Sequence, residues 1–379
     1  MDNLRLVTDM EKNWYFIENA DQINSPQLVF YPDRILQNIK TLKLSIDEVD
    51  RLRPHVKTHK SAELTLLMLQ AGITKYKCAT IAEAEMLGTC RAPDVLVAYQ
   101  MVGPNVKRFV KLQQLFPGTL FSCLLDNLDS LNALSDAAEE AGLTVAVYLD
   151  LNVGMNRTGI APGPKALLLY QEILKKNNID LKGFHAYDGH IHDASYQLRE
   201  QKWMYVWNSI DAFKGEILKH GLPEPIIIAG GTPTFPFYAA QSDVECSPGT
   251  FILWDKGYQD AFSEQNYLTS ALVITRVISL PGETKVSVDL GHKAVAAENE
   301  LSKRVSFLNA PDAEVVSQSE EHLVLEMGEN HGLKIGDLLY GLPVHICPTV
   351  ALYDTAAVVY DHHCNEKWKI TSRNRTIMV

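Results

Sequence analysis

No apolar run in this 379-residue sequence approaches the roughly 18 residues that a membrane-spanning helix needs. The start, MDNLRLVTDMEKNWYF, carries acids and polar groups where a signal peptide needs an apolar stretch. These absences predict a cytoplasmic protein with no membrane partner. A basic excess is missing as well: 46 acidic residues face 35 basic ones, giving a net charge of −11 with neutral histidines. Nucleic-acid binding needs a basic face that displaces counterions, so no nucleic-acid partner is expected. The six cysteines, Cys78, Cys90, Cys123, Cys246, Cys347 and Cys364, form no CxxC pair. That excludes a disulfide framework and leaves buried thiols or a metal ligand. There is no internal repeat and no low-complexity segment.

What is present fits a globular protein too long for one small core, with 46% hydrophobic residues. From about residue 27, short β-branched apolar runs alternate with longer stretches whose apolar residues recur every three or four positions. QLVFYP, HVKTH, KYKCAT, DVLVAYQ, LFSCLLD, TVAVYLDLN, GFHAYDG and PIIIAGGTPTF are the strand candidates. Eight such βα units fit an open doubly wound sheet less well than a closed (β/α)8 TIM-type barrel, predicted here over 26–262. Beyond it, ALVITRVISL, TKVSVDL, AEVVSQS, HLVLEM, LLYGLP and AAVVYD alternate without helices between them. They predict an all-β C-terminal domain over 263–379. Residues 1–25 hold no βα unit and are expected to pack on that β domain.

RPHVKTHK, residues 53–60, concentrates basic groups in an acidic chain. As a strand it would put His55, Lys57 and His59 on one face. At the C-terminal end of a barrel strand, where active sites sit, a lysine partly removed from water supplies an amine nucleophile suited to Schiff-base chemistry. A solvated basic loop would read the same way.

Three other stretches bear on that choice. In IIIAGGTPTF a strand runs into Gly230, Gly231 and Thr232. The glycines let backbone amides approach a ligand, and a barrel's last βα loops commonly hold a phosphate. YLDLNVGMNRTGI places Arg157 just past a strand, where a guanidinium can hold a phenolate or carboxylate. In LPVHICPTV, His345 and Cys347 stand two apart, on one face of an expected strand, and imidazole plus thiolate suits zinc. DHHC, residues 361–364, is a competing cluster.

Taken in order, RPHVKTHK, KCATIAEAEML, DLNVGMNRTG, AGGTPT, CSPGTF and PVHIC resemble the D-threonine aldolase and eukaryotic-type D-serine dehydratase family. The resemblance implies an alanine-racemase-like, pyridoxal-phosphate (PLP) dependent barrel with a C-terminal β domain. It implies that Lys57 carries PLP, that Gly230, Gly231 and Thr232 hold its phosphate, and that Arg157 approaches its phenolic oxygen. It further implies that Tyr187 faces the cofactor and that His345 and Cys347 hold a divalent metal, zinc or else manganese. The expected substrate is a D-amino acid with a β-hydroxyl group, and the expected assembly a monomer or a homodimer.

Two reactions are compatible with that site. D-Serine dehydration gives pyruvate and ammonia; there Lys57 takes the α-proton and the metal assists loss of the hydroxyl. D-Threonine aldol cleavage gives glycine and an aldehyde, with His59 as the base for the hydroxyl proton. Two rivals share parts of the pattern. An amino-acid racemase needs a second base opposite Lys57 and no metal pair. A non-catalytic PLP-binding protein would have no use for a β domain. Pro343–Val344 stands where the family carries Pro-Asn, and HAYDGH differs from the expected H-x-G pattern. Both departures bear on substrate choice more than on the cofactor.

Overall fold

The structure is a computed structural model that describes residues 14–379. The chain forms two compact units. One holds the described residues up to Asn38 together with Ile252–Ile370. The other holds Ile39–Phe251 together with Thr371–Val379. No helix among the described residues is long and apolar enough to cross a membrane.

The first strand, β1 (Gln27–Phe30), was expected to open the barrel. It lies instead in the antiparallel unit, hydrogen-bonded between two other strands of that sheet. All four of its residues are buried. A short apolar run buried on both faces reads alike in a parallel barrel and in the middle of an antiparallel sheet, so periodicity could not separate the two.

The barrel unit contains seven parallel strands in sequential order. They are β2 (Lys75–Cys78), β3 (Asp94–Gln100), β4 (Leu120–Leu125), β5 (Val145–Leu151), β6 (Ile179–Ala186), β7 (Ile226–Ala229) and β8 (Val244–Cys246). Helices alternate with them, as short parallel connections require. Inside, Leu96, Leu124, Tyr148 and Ile228 pack together from four different strands, the layered filling expected of such a barrel.

The eighth position is taken by residues 52–55. Leu52 bridges Cys246 and His55 bridges Lys77, both in parallel sense, so this segment joins the two edge strands of the sheet. Arg53 N donates to Cys246 O at 2.8 Å and Lys77 N donates to Pro54 O at 2.9 Å. Pro54 has no N–H to give, which explains why the ladder is broken here into isolated bridges.

Arg53 fastens that segment. Its side chain is fully buried; Nη1 reaches Asp94 at 2.7 Å and Nε reaches Glu245 at 2.7 Å. Breaking a buried ion pair leaves charge uncompensated, which costs on the order of 3–5 kcal/mol. Arg53→Met is therefore expected to lower stability by about 3 kcal/mol. A urea titration followed by far-UV circular dichroism checks this, as a fall in midpoint at unchanged slope.

The second unit is built from β1 with β9 (Ala271–Ser279), β10 (Lys285–Val288), β11 (Val305–Phe307), β12 (Glu314–Gln318), β13 (Leu323–Glu326), β14 (Leu338–Pro343), β15 (Thr355–Tyr360) and β16 (His363–Lys369). Its pairings are antiparallel except β1 with β15. Residues 1–13 of the segment expected to pack on this unit lie outside the described residues. Over 14–25, Ile17 and Ile23 join its core with Val29, Ile274, Tyr340 and Val359.

Candidate active site

The barrel unit encloses a cavity of about 340 Å³ whose walls include Lys57, Lys77, Asp150, Arg157, His185 and Tyr187. Each wall group comes from a different local device.

Lys57 does not lie on a strand. Val56–Thr58 is a single 3₁₀ turn directly after the bridging segment, so the expected alternation of His55, Lys57 and His59 along one strand face does not hold. The turn is capped by His55, whose Nδ1 accepts from Lys57 N at 3.3 Å. Burial and then the charge of Lys57 keep the His55 imidazole well below its usual range. The basic cluster is thus not a solvated loop: His55, Thr58 and His59 are buried, and Lys60 pairs with Glu83.

His59 was expected to act as a base on the substrate, but it is not among the cavity-wall residues. It is 1% exposed and its Nδ1 accepts from Ser61 N at 3.1 Å. Burial, then the charge of Lys60, pushes it down to about 3. A histidine one turn past Lys57 is carried behind the wall because the chain there coils instead of extending.

Arg157 sits in the loop after β5. That loop is closed on itself: Ile160 N donates to Asp150 O at 2.9 Å and Asn152 N donates to Ile160 O at 3.0 Å. Gly159 makes the closure possible, since its φ is +92° and a Cβ there would lie 2.7 Å from Asn152 N. The guanidinium carbon of Arg157 is 5.0 Å from the centre of the Tyr187 ring, while Lys57 Nζ is 5.7 Å and Lys77 Nζ 5.5 Å from it. Three basic side chains therefore converge on one aromatic ring.

Tyr187 is seated on two glycines. A Cβ on Gly189 would strike its ring at 2.4 Å, and one on Gly231 would approach it at 3.2 Å. The Gly230–Gly231–Thr232 turn, at the C-terminal end of β7, thus backs the ring without belonging to the cavity wall. Gly230 has a φ of +73°, and a Cβ there would fall 2.6 Å from the Tyr238 ring. Thr232 Oγ1 accepts from Gly249 N at 3.0 Å and from Thr250 N at 3.1 Å, tying the turn to the next loop.

Lys77, His185 and Asp150 were missed from the sequence. The wall lysine held down by burial and then by the charge of Lys57 is Lys77, at about 7. Its Nζ lies 3.3 Å from His185 Nε2, and His185 Nδ1 lies 2.8 Å from Asp150 Oδ1. Burial and the charge of Lys77 keep His185 below the usual histidine range. Lys77 could have been found in KYKCAT, where a lysine interrupts an otherwise buried strand.

His345 and Cys347 lie in the antiparallel unit, and they are not on a strand. β14 ends at Pro343; His345 caps the helix Ile346–Val350, in which Cys347 lies. Pro343 and Pro348 flank the pair, and a proline inside the first helical turn costs no hydrogen bond. The two side chains interact: burial works against charge on His345, but Cys347, then Glu298 and Asp255, raise it to about 9. Surroundings that favour a proton there also favour a metal cation. Glu298 holds His345 Nδ1, the arrangement that orients metal-binding histidines. Among the described residues no group of three or more His, Cys, Asp or Glu side chains forms a metal cage. An ion on this pair would keep open positions. In DHHC, His363 pairs with Glu18 and His362 Nδ1 with Phe16 O, so the competing cluster does not converge.

Residues 31–255 match the alanine racemase N-terminal domain family, and that match spans more than half of the chain. The chain belongs to this family. Residues 270–359 match a second one, the serine dehydratase domain. The chain is 26% identical over 360 residues to a D-threonine aldolase of Arthrobacter, covering 93% of each chain. It is 24% identical over 384 residues to the D-serine dehydratase of Saccharomyces cerevisiae, covering 86% of this chain and 88% of that one. The solved D-threonine aldolase of Filomicrobium marinum shares its fold at a TM-score of 0.85 and 23% identity, over 93% of this chain and 95% of that one.

Proposed function

We propose that this protein is a PLP-dependent lyase of D-amino acids that carry a β-hydroxyl group, and that it dehydrates D-serine to pyruvate and ammonia. The observation that carries the reading is the convergence of Lys57, Arg157 and Tyr187 on one cavity, with the Gly230–Thr232 turn behind the ring. The residues fit the cofactor: a lysine amine for its aldehyde, a guanidinium for its phenolic oxygen, and a Gly-Gly-Thr turn at a strand end for its phosphate. When bound, PLP supplies an electron sink for the pair released at the amino acid's α-carbon.

Lys57, once its amine is free, takes the α-proton. Arg157 would hold the cofactor's phenolic oxygen, and Tyr187 would face the cofactor. His345 and Cys347 are the residues that would hold a zinc ion, and such an ion would supply Lewis-acid chemistry for the loss of a hydroxyl group.

Aldol cleavage of D-threonine is the second reading, favoured by the 26% identity to an aldolase over 93% of both chains. Incubating the purified, PLP-loaded protein with D-serine, D-threonine and D-alanine, with and without zinc, separates the two. A keto acid and ammonia from D-serine support dehydration. Glycine and acetaldehyde from D-threonine alone would replace it with aldol cleavage, and no turnover of either would leave a PLP-binding protein.

A further inference from the structure

The sequence assigns no role to Lys77, yet it is 2% exposed, charged in type, and set in the wall of the cavity that holds Lys57. We propose that Lys77 exchanges a proton with the β-hydroxyl group of the substrate, the task expected from the sequence to fall to His59. The proposal rests on the lyase reading above.

The geometry runs through three side chains. Asp150 accepts from Gln100 Nε2 at 2.8 Å and lies 2.8 Å from His185 Nδ1. A carboxylate only accepts, so Nδ1 carries the imidazole proton and Nε2 presents its lone pair. That lone pair faces Lys77 Nζ at 3.3 Å and takes one of its N–H groups. The rest of the amine is directed by this bond. An amine, an imidazole in hydrogen-bond reach and a carboxylate orienting the imidazole form the arrangement by which proteins make a side chain reactive.

The charged and titratable groups around Lys77 act in both directions. Lys57 and Arg157 oppose its charge, and Asp150 and Asp188 favour it. His55 and His185 interact with it as well. With burial as the largest influence the outcome is about 7, so both forms are populated near neutral pH, as an acid–base group requires.

The protons balance for either reaction. In dehydration Lys57 takes the α-proton, the Cβ–O bond breaks with its pair on oxygen, and the Lys77 ammonium gives that oxygen a proton, so water leaves. In aldol cleavage neutral Lys77 takes the hydroxyl proton, the O–H pair becomes the second C–O bond, and the pair of the broken Cα–Cβ bond ends in a new Cα–H bond with a proton given by the Lys57 ammonium, so glycine and an aldehyde leave. His185 then accepts a proton from Lys77 through Nε2, with Asp150 beside the resulting imidazolium, and releases it to water when product leaves.

Lys77→Met and Lys77→Arg in PLP-loaded protein test this, beside a pH series of acetic anhydride labelling of wild-type apoprotein read by peptide mass spectrometry. Lys77→Met is expected to keep the borohydride-fixed cofactor on Lys57 and to lower kcat about 100-fold with KM little changed. Lys77→Arg should not restore turnover, because a guanidinium does not release its proton near neutral pH. In the apoprotein, labelling of Lys77 should rise with a midpoint of about 7. An unchanged kcat in Lys77→Met overturns the proposal. So does recovery in Lys77→Arg with the loss confined to KM, which would make Lys77 a holder of the substrate's carboxylate. Labelling of Lys77 at the pH of an ordinary exposed lysine overturns it too. If wild-type Lys57 takes no cofactor under borohydride, the lyase reading itself falls and takes this proposal with it.

Discussion

Lys57→Ala is expected to lower turnover of β-hydroxy D-amino acids by about 10⁴-fold and to remove the borohydride-fixed cofactor from the protein. The size of the effect follows from the two tasks given to one amine. In the proposed reaction Lys57 would hold the cofactor's aldehyde and would then take the α-proton from the face it occupies. It stands on a 3₁₀ turn capped by His55 and fastened to both edge strands of the barrel, so its amine is delivered by backbone that tolerates little movement. Lys77 offers a second amine against the same Tyr187 ring, 5.5 Å from its centre where Lys57 is 5.7 Å. Peptide mapping of the reduced wild-type protein is therefore decisive between them. Label on Lys57 is the expected result. Label on Lys77 would exchange the two roles, and absence of label would remove PLP from the account.

Cys347→Ala is expected to lower turnover by about 100-fold while leaving the cofactor in place, and a chelator should do the same to the wild-type protein. With only His345 and Cys347 as a pair, loss of either leaves a single protein donor, too few to retain the ion. Glu298→Gln should weaken zinc binding about 10-fold, because it removes the carboxylate that orients His345. Turnover is measured together with zinc content by atomic absorption. Full activity of a zinc-free Cys347→Ala protein would rule out the Lewis-acid role.

The barrel was legible because six of its parallel strands are short runs, most of them apolar, in alternation with helices. β1 was misplaced because four buried residues carry no record of which sheet buries them. β8 went unread: three residues, with Glu245 in the middle, fall below what periodicity resolves. Its glutamate is satisfied by Arg53 and Lys75, partners far away in sequence. Lys57, Arg157 and Gly230–Thr232 stood out in the sequence because each follows a strand end or turn with its own local signature, and the structure groups them around the Tyr187 ring. His59 was misjudged because the two-residue spacing that puts it beside Lys57 in a strand turns it away in a 3₁₀ helix. The His345–Cys347 pair survives the change from strand to helix start, since its side chains still meet. Lys77, His185 and Asp150 come from β2, β6 and β5, and no local spacing joins them.

The proposed lyase acts on the D-enantiomer of β-hydroxy amino acids. In such a lyase Lys57 would reach a cofactor-bound substrate from one face only, and its Cα–H bond would break readily only when it stands perpendicular to the cofactor's conjugated plane. One base on one face means one enantiomer. The most direct measurement is chiral chromatography after incubating PLP- and zinc-loaded protein separately with each enantiomer of serine, threonine and alanine. The expected result is loss of a D-β-hydroxy amino acid, with the L-enantiomers untouched and D- and L-alanine not interconverted. Consumption of L-serine or L-threonine at a comparable rate, or racemised alanine, would contradict it and put an amino-acid racemase in its place.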